Sequence, residues 1–318
     1  MADLPQRALD TEVRPLVAPA LPNEVGASPA PLRDGEERLG RLARVVEQEI
    51  VPRLILARRA EVARLVEAAG EGPAPSTAEV EELAELVVER ELPVIEAFVD
   101  GIRARGVTVE SLYLELLAPT ARRLGLLWEE DRRSFSEVTI GVWRLHQLLH
   151  GLSVLFQADA LPPSPDQRIL LVPVPGEQHT FGLTMAAEFF RRAGWLVSGG
   201  PAMSAEEVAT LVHREWFAIL GISASATTKL DAVATTIHAV RRVSRNRALG
   251  VLVGGVVFDE RPERAALVGA DCWAGDARRA PLQARALLDL LVRRERSAAD
   301  APSGSWSCGP TDEASRSG

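Results

Sequence analysis

The chain has 318 residues, 47% hydrophobic and 25% charged, enough apolar material for a sizeable core and, at ~150 residues each, for about two domains. Its 36 basic and 44 acidic residues leave a net charge of −8, which argues against strong direct attachment to nucleic acid but leaves room for a local basic patch. Cys272 and Cys308 lie far apart without metal-site spacing, no apolar run approaches the ~20 residues of a membrane span, and no leader-like segment opens the chain. A cytoplasmic protein without membrane attachment is therefore expected.

Residues 1–34 carry Pro5, Pro15, Pro19, Pro22, Pro29 and Pro31 with no sustained period and read as a flexible N-terminal arm. Residues 35–157 read as a helical bundle. Leu39, Leu42, Val46 and Ile50 recur at helical spacing, and that pattern continues past Pro52 to about Gly70. Ser76-x-x-Glu79 is a capping box before Val80, Leu83, Val87, Val94 and Phe98, with Pro93 expected to bend or divide the helix. The next segment spans Glu110 to Trp128. Ser134-x-x-Glu137 opens the last, whose apolar positions are Ile140, Trp143, Leu145, Leu148, Leu149 and Leu152. His146 and His150 share a face of that helix. They could supply a second axial metal ligand, but read better as partly exposed residues among polar neighbours.

A proline-rich linker, 158–167, leads into residues 168–295, where strand and helix patterns alternate five times. The strands are 168–173, 195–199, 217–222, 249–253 and 269–273; the helices are 181–193, 204–214, 229–244, 260–266 and 277–294. Apolar strands without polar alternation are buried on both faces, so the expected fold is a helical bundle followed by a flavodoxin-like, Rossmann-type α/β domain with a five-stranded parallel sheet. Arg241, Arg242, Arg245 and Arg247 cluster at one helix end, as a solvated face complementing the helix dipole. Residues 296–318 turn to Ser, Ala, Gly, Pro and Asp and read as a disordered tail.

The first strand runs into Pro173-Val-Pro-Gly-Glu177-Gln178-His179-Thr180-Phe181-Gly182-Leu183, a strand-to-helix loop of the kind that holds ligands in open α/β sheets. A carboxylate two residues before an imidazole can accept one ring N–H and make the other nitrogen a better metal donor. Glycine three residues later lets a bulky group approach the backbone. The plainer reading keeps His179 as a polar residue at a helix start, with Glu177 favoured there by the helix dipole.

Two further pieces follow predicted strands: Ser223-Ala-Ser225-Ala-Thr227-Thr-Lys-Leu-Asp231, and Gly254-Gly255. Together with Glu177-x-His179-x-x-Gly182 they resemble the Asp-x-His-x-x-Gly, Ser-x-Leu, Gly-Gly motif of cobalamin-binding domains in methionine synthase, corrinoid methyltransferase proteins and cobalamin photoreceptors. The resemblance implies His179 as lower axial ligand of cobalt, Ser223 lining the cavity for the nucleotide tail and the glycines admitting that tail; Ser225 and Thr227 form an alternative register for the serine motif. Glu177 replaces the usual Asp. The helical module before such domains acts as a lid. Trp128 takes the place of its tryptophan, but Val138-Thr139 stand where the usual Glu-His is expected.

The run Pro-Gly-Glu-Gln-His-Thr-Phe-Gly, with Ala-Glu-Phe-Phe-Arg-Arg-Ala-Gly-Trp at 187–195 and Phe135-Ser-Glu-Val-Thr-Ile-Gly-Val-Trp-Arg-Leu145, is similar to the AerR/PpaA family of purple bacteria. That resemblance, over about residues 36–295, implies a cobalamin-binding antirepressor of photosynthesis genes, responsive to light or redox state, that acts through a CrtJ/PpsR-type transcription factor. A related module in the photoreceptor AppA binds haem. The expectation is a regulator that is not an enzyme, with a cofactor site of Glu177, Gln178, Thr180, Gly182, Leu183, Ser223, Ser225, Thr227, Gly254, Gly255 and Trp128 around His179. The alternatives are a haem sensor and the corrinoid carrier of a methyltransferase.

Overall fold

The structure is a computed structural model describing residues 73–200 and 203–299. The expected N-terminal arm, the helix expected from Glu36 to Gly70 and residues 300–318 of the expected tail lie outside the described residues. Helix α1 (Thr77–Glu89) starts at the expected capping box: the Glu79 N–H donates to the Ser76 hydroxyl and the Ser76 N–H donates to the Glu79 carboxylate at 2.8 Å. Pro93 divides rather than bends the next stretch. The chain is extended at Arg90 and Glu91, and α2 (Leu92–Ala104) restarts with Pro93 in its first turn, where a missing N–H costs no helical bond.

The third expected helix contains a feature without a signature in its spacing. It runs as α3 (Val109–Ser111), a π-helical stretch (Leu112–Leu117) and α4 (Ala118–Glu129). The wider turn places Leu112, Tyr113, Leu116 and Leu117 in the core, and the Tyr113 hydroxyl donates to the Leu149 carbonyl at 2.8 Å. A second capping box, Ser134 with Glu137, opens α5 (Phe135–Phe156). Leu145, Leu148, Leu149 and Leu152 are buried as expected, whereas Ile140 and Trp143 are exposed.

The α/β half has the expected order. Strand β1 (Arg168–Pro173) leads to α6 (Phe181–Arg192), β2 (Leu196–Gly199) and α7 (Ala205–Arg214). Then come β3 (Ile219–Ser223), a 3₁₀ turn (Thr227–Lys229), α8 (Leu230–Val243) and β4 (Gly250–Gly254). The domain ends with α9 (Val256–Glu260), α10 (Arg264–Leu267), β5 (Cys272–Ala274) and α11 (Ala280–Ala299). The strands pair in parallel in the order β2-β1-β3-β4-β5, and the register puts Pro173, Ser223, Gly254 and Ala274 in one row along the C-terminal edge.

Three local readings are corrected. Trp195, expected to open the second strand, lies just before it, buried against Phe190 after the positive-φ turn at Gly194. The helix expected at 260–266 is two short pieces, with Pro262 between them. The last helix continues to Ala299, past the expected start of the tail at 296.

Bundle and sheet meet along α5 and α6, whose facing residues advance together. His146 lies edge-on to Phe181 with ring centroids 5.0 Å apart, and seven residues later Ser153 and Gln157 donate to Glu188 at 2.5 and 2.9 Å. The two helices therefore run side by side in the same direction. The eleven residues of α5 before His146 extend ~16 Å past the start of α6, beyond the C-terminal edge of the sheet. Glu188, buried at 7% exposure, also accepts from Arg191 at 2.7 Å and forms the polar centre of this seam. Glu188→Ala should cost about 2–3 kcal/mol, because it removes a buried carboxylate that binds the half-buried donors Ser153 and Gln157. Thermal unfolding followed by circular dichroism should then show a drop in Tm of roughly 5–10 °C, against little change for the half-exposed Arg191→Ala.

Candidate functional site

The loop after β1 is held shut by its own backbone. Val174 N–H donates to the Ser223 carbonyl and Glu177 N–H to the Val174 carbonyl, both at 2.9 Å, while Gly176 turns the chain at φ +77°. Lys229, from the 3₁₀ turn after β3, donates its ammonium to the Gly176 carbonyl at 3.0 Å and so ties the two loops together. The sequence reading assigned no role to this lysine, since nothing in its spacing marks a partner 53 positions away.

Glu177 turns back beneath the loop. Its Oε1 accepts from the backbone N–H groups of Gln178 and His179 at 2.9 Å each and lies 2.7 Å from His179 Nδ1. Its Oε2 accepts from the Ser225 N–H at 2.9 Å and the Ser225 hydroxyl at 2.6 Å. Burial by itself would raise the carboxyl's pKa. The Ser225 hydroxyl, the backbone N–H groups of His179 and Ser225 and the His179 imidazole together outweigh it and hold the group down to about 2. A permanent carboxylate thus fixes Nδ1 as the protonated ring nitrogen and leaves Nε2, on the far side of the ring, with a free lone pair. The imidazole is 75% exposed while the carboxylate is 2% exposed, so the pair presents a fixed ligand above a buried anchor.

Ser225, not Ser223, completes this cluster, its hydroxyl lying 3.1 Å from His179 Nδ1. The residue that supports the Glu177–His179 pair is thus the one from the alternative register. Ser223 is the last residue of β3 and its position is fixed by sheet pairing, whereas Ser225 lies two residues further along, where the loop folds over Glu177. Ser225→Ala should weaken ligand binding at His179 by roughly tenfold through the loss of this supporting hydrogen bond, and Ser223→Ala should change it little. Calorimetric titration of both variants would decide between the two registers.

The other expected site residues separate into two groups. Gly182 is exposed at the start of α6, with nothing within 4 Å of where a Cβ would project, and Gly254 would make only an ordinary 3.5 Å contact with the Ala274 carbonyl. Both leave room for a ligand. Gln178 and Thr227 are exposed and Thr180 is half-buried as the N-cap of α6. Leu183 is instead a core residue, packed in the apolar cluster that joins α6 to the sheet. Gly255 is also explained without a ligand: at φ +105° its Cβ would fall 2.1 Å from the Ala224 carbonyl. A glycine is needed there for the two loops to come together.

Trp128 is exposed rather than core and lies edge-on to Phe135 with centroids 6.3 Å apart. Phe135, Thr139, Val142 and His146 recur on the α5 stripe that continues upward from the seam with α6, with Trp143 at its flank. Trp128, Phe135 and Trp143 are all about half exposed or more, and this aromatic surface stands on the overhang beyond the start of α6. Sequence reading placed Trp143 on the apolar face of its helix; it lies instead on the outward stripe of α5, with His150 and Val154, both exposed. His146 is half-buried, its Nδ1 3.0 Å from the Val142 carbonyl, and His150 is exposed.

Among the described residues, no group of three or more His, Cys, Asp or Glu is placed to hold a bare metal ion. An exposed imidazole suits a metal that brings its other ligands with it, and the open backbone at Gly182 puts no side chain in the way of such a group. The donor set therefore fits a tetrapyrrole-type metal complex. Among the described residues no helix is long and apolar enough to cross a membrane.

Comparison with known proteins agrees with this geometry. Residues 167–283 match the B12 binding domain model. An uncharacterized 20.5 kDa protein in the bchF-crtJ intergenic region of Rhodobacter capsulatus is 31% identical over 177 residues, 56% of this chain and 92% of that protein. The Methanosarcina barkeri monomethylamine corrinoid protein shares the fold at 14% identity, with a TM-score of 0.56 over 68% of this chain and all of that one. A cobalamin-binding protein from Desulfitobacterium hafniense DCB-2 aligns over 68% of this chain and 97% of its own at 18% identity, with a TM-score of 0.31. With its parallel sheet, its carboxylate-anchored histidine and its open glycines, the chain is a B12-binding-domain protein and belongs to the same family as the Rhodobacter capsulatus protein.

Proposed function

We propose that the protein is a cobalamin-binding, light- or redox-responsive regulator that acts through a partner transcription factor and catalyses no reaction of its own. The observation that carries this reading is the exposed imidazole of His179, fixed by a buried carboxylate, in a chain that has Val138 and Thr139 where an acid and a base are expected. The Rhodobacter capsulatus relative is described by its place in the bchF-crtJ intergenic region, which supports a partner of the CrtJ/PpsR type.

In this reading His179 Nε2 would hold the cobalt of a bound cobalamin, Glu177 and Ser225 would fix the imidazole that carries it, and Gly182 and Gly254 would leave the backbone open to the cofactor. Bound cobalamin supplies a cobalt centre whose outward ligand can be lost on illumination or changed on reduction. Trp128, Phe135 and Trp143, exposed on the overhang, would be available to cover that outward side. A change in that ligand would alter what the overhang packs against, and the seam at Glu188 would carry the difference between bundle and sheet. Such a switch works only if the two ligand states favour the two arrangements unequally.

The test is to load purified protein with adenosyl-, methyl- or hydroxocobalamin, or with haem, and record absorbance in darkness and light beside the operator affinity of a CrtJ/PpsR-type repressor. The expected result is a cobalamin spectrum that changes on illumination or reduction, together with a change in repressor binding. Sustained methyl transfer from an added methyl donor would point instead to a corrinoid carrier, and tight binding of haem with cobalamin excluded would point to a haem sensor.

A further inference from the structure

Helices α7 and α8 lie side by side, with their C-terminal ends at the edge of the sheet opposite Ser223 and Gly254. There Arg245 N–H donates to the Val212 carbonyl at 2.9 Å and Asn246 donates to the Phe217 carbonyl at 2.8 Å. Between the two helices runs a groove of about 600 Å³. It is lined by Ala209 from α7 with Ala234, Ala239 and Val243 from α8, and by the exposed Thr235, His238 and Arg242. Small residues on adjoining helices keep both backbones within reach of an incoming element. The stretch from Ala234 to Val243 is ~14 Å long, about two and a half helical turns.

The charge at the C-terminal end of this groove is opposite in sign to that of the whole chain, whereas Glu206 and Asp231 stand at its other end. Arg214, Arg242, Arg245 and Arg247 surround its C-terminal end, and among the described residues none of the four has a carboxylate within ion-pairing distance. Arg241, next to them, is paired with Asp271 at 2.9 Å. Helix-end chemistry accounts for part of the cluster: Arg245 and Arg247 donate to the carbonyls of Arg214 and Arg242 at 3.3 and 3.4 Å, complementing the negative ends of the two helices. It does not account for Arg242 itself, which lines the groove with the alanines, nor for the apolar lining.

We infer that this groove docks an acidic amphipathic helix of a protein partner. The length and straightness of the groove suit a third helix packed across a helix pair, with its apolar stripe on the alanines and its carboxylates toward Arg242 and Arg245. A nucleic acid fits less well. Phosphates would use the arginines but leave the apolar lining uncovered, and the net charge of −8 opposes a polyanion. The site lies at the far edge of the sheet from His179, so it stands or falls separately from the cofactor reading.

The experiment is an unbiased selection of random peptides of roughly five helical turns on the intact, cobalamin-loaded chain, followed by anisotropy titration of the enriched peptides. Enriched sequences should be net acidic with apolar residues at i, i+3, i+4 and i+7. Their affinity should fall about tenfold or more for Arg242→Glu and for Ala234→Trp, which fills the groove, and should weaken with added salt. Cofactor absorbance and helical content should be unchanged in both variants, and His179→Ala should bind the peptides normally. Enrichment of neutral or basic peptides, binding indifferent to both substitutions, or displacement of the peptides by short duplex DNA would overturn the proposal.

Discussion

Replacing His179 by alanine should weaken cobalamin binding by about 100-fold or more while shifting unfolding free energy by no more than about 0.5 kcal/mol. The two effects separate because the imidazole and its anchor are so differently exposed. At 75% exposure the ring contributes almost nothing to the core, and Glu177 keeps its hydrogen bonds from the backbone N–H groups of Gln178, His179 and Ser225 and from the Ser225 hydroxyl. Any cofactor that remained bound would depend on contacts to its ring edge and tail and would lose the spectrum of the imidazole-ligated form. Glu177→Gln should give a smaller loss, about 10–100-fold, since an amide still accepts at Nδ1 but no longer strengthens the other nitrogen as a donor. Calorimetric titration beside thermal unfolding checks both variants. A His179→Ala protein that binds as tightly as the parent would remove the site.

The second large effect is on stability. Gly255→Ala should cost about 3–5 kcal/mol and lower Tm by roughly 10 °C or more. Its backbone lies at φ +105° and an added Cβ would fall 2.1 Å from the Ala224 carbonyl, an atom of the main chain that cannot rotate away. Ala224 is itself tied to this edge by its N–H bond to the Gly254 carbonyl at 3.0 Å, so relief would have to move the ends of β3 and β4 together. Gly254→Ala is the control. Its 3.5 Å contact is ordinary, its φ is not in the left-handed region, and the expected change is within about 1 kcal/mol. Equal unfolding temperatures for the two variants would contradict this division of roles between adjacent glycines.

How far the sequence reached depended on whether the cause of each feature is local. The capping boxes at Ser76 and Ser134 and the parallel sheet were legible because caps and buried strands leave short, regular patterns. The pairing of Glu177 with His179 was legible for the same reason, two positions apart on one loop. Ser225 was harder. It competes with Ser223 two residues away, and the choice is made by where β3 stops pairing, which spacing cannot state. The π-helical stretch at Leu112–Leu117 reads from its apolar residues as ordinary helix, because widening a turn by one residue alters which side chains reach the core without altering their composition. Trp143 was placed on the apolar face by periodicity. It lies instead on the outward stripe it shares with His150 and Val154, both exposed, opposite the buried stripe of Leu145, Leu148, Leu149 and Leu152. Gly255 and Leu183 were read as ligand positions when close backbone approach and core packing already require them.

The most direct test of the central claim is electron paramagnetic resonance of the cob(II)alamin-loaded protein, prepared with natural-abundance histidine and again with histidine labelled with nitrogen-15 in the ring. If His179 Nε2 ligates cobalt, labelling should convert the three-line nitrogen splitting of each cobalt component into a two-line pattern, and His179→Ala should abolish that change. Three-line splitting that persists in the labelled protein would show that the axial nitrogen belongs to the cofactor's own base, and would contradict the assignment of this loop as the cobalt-binding element.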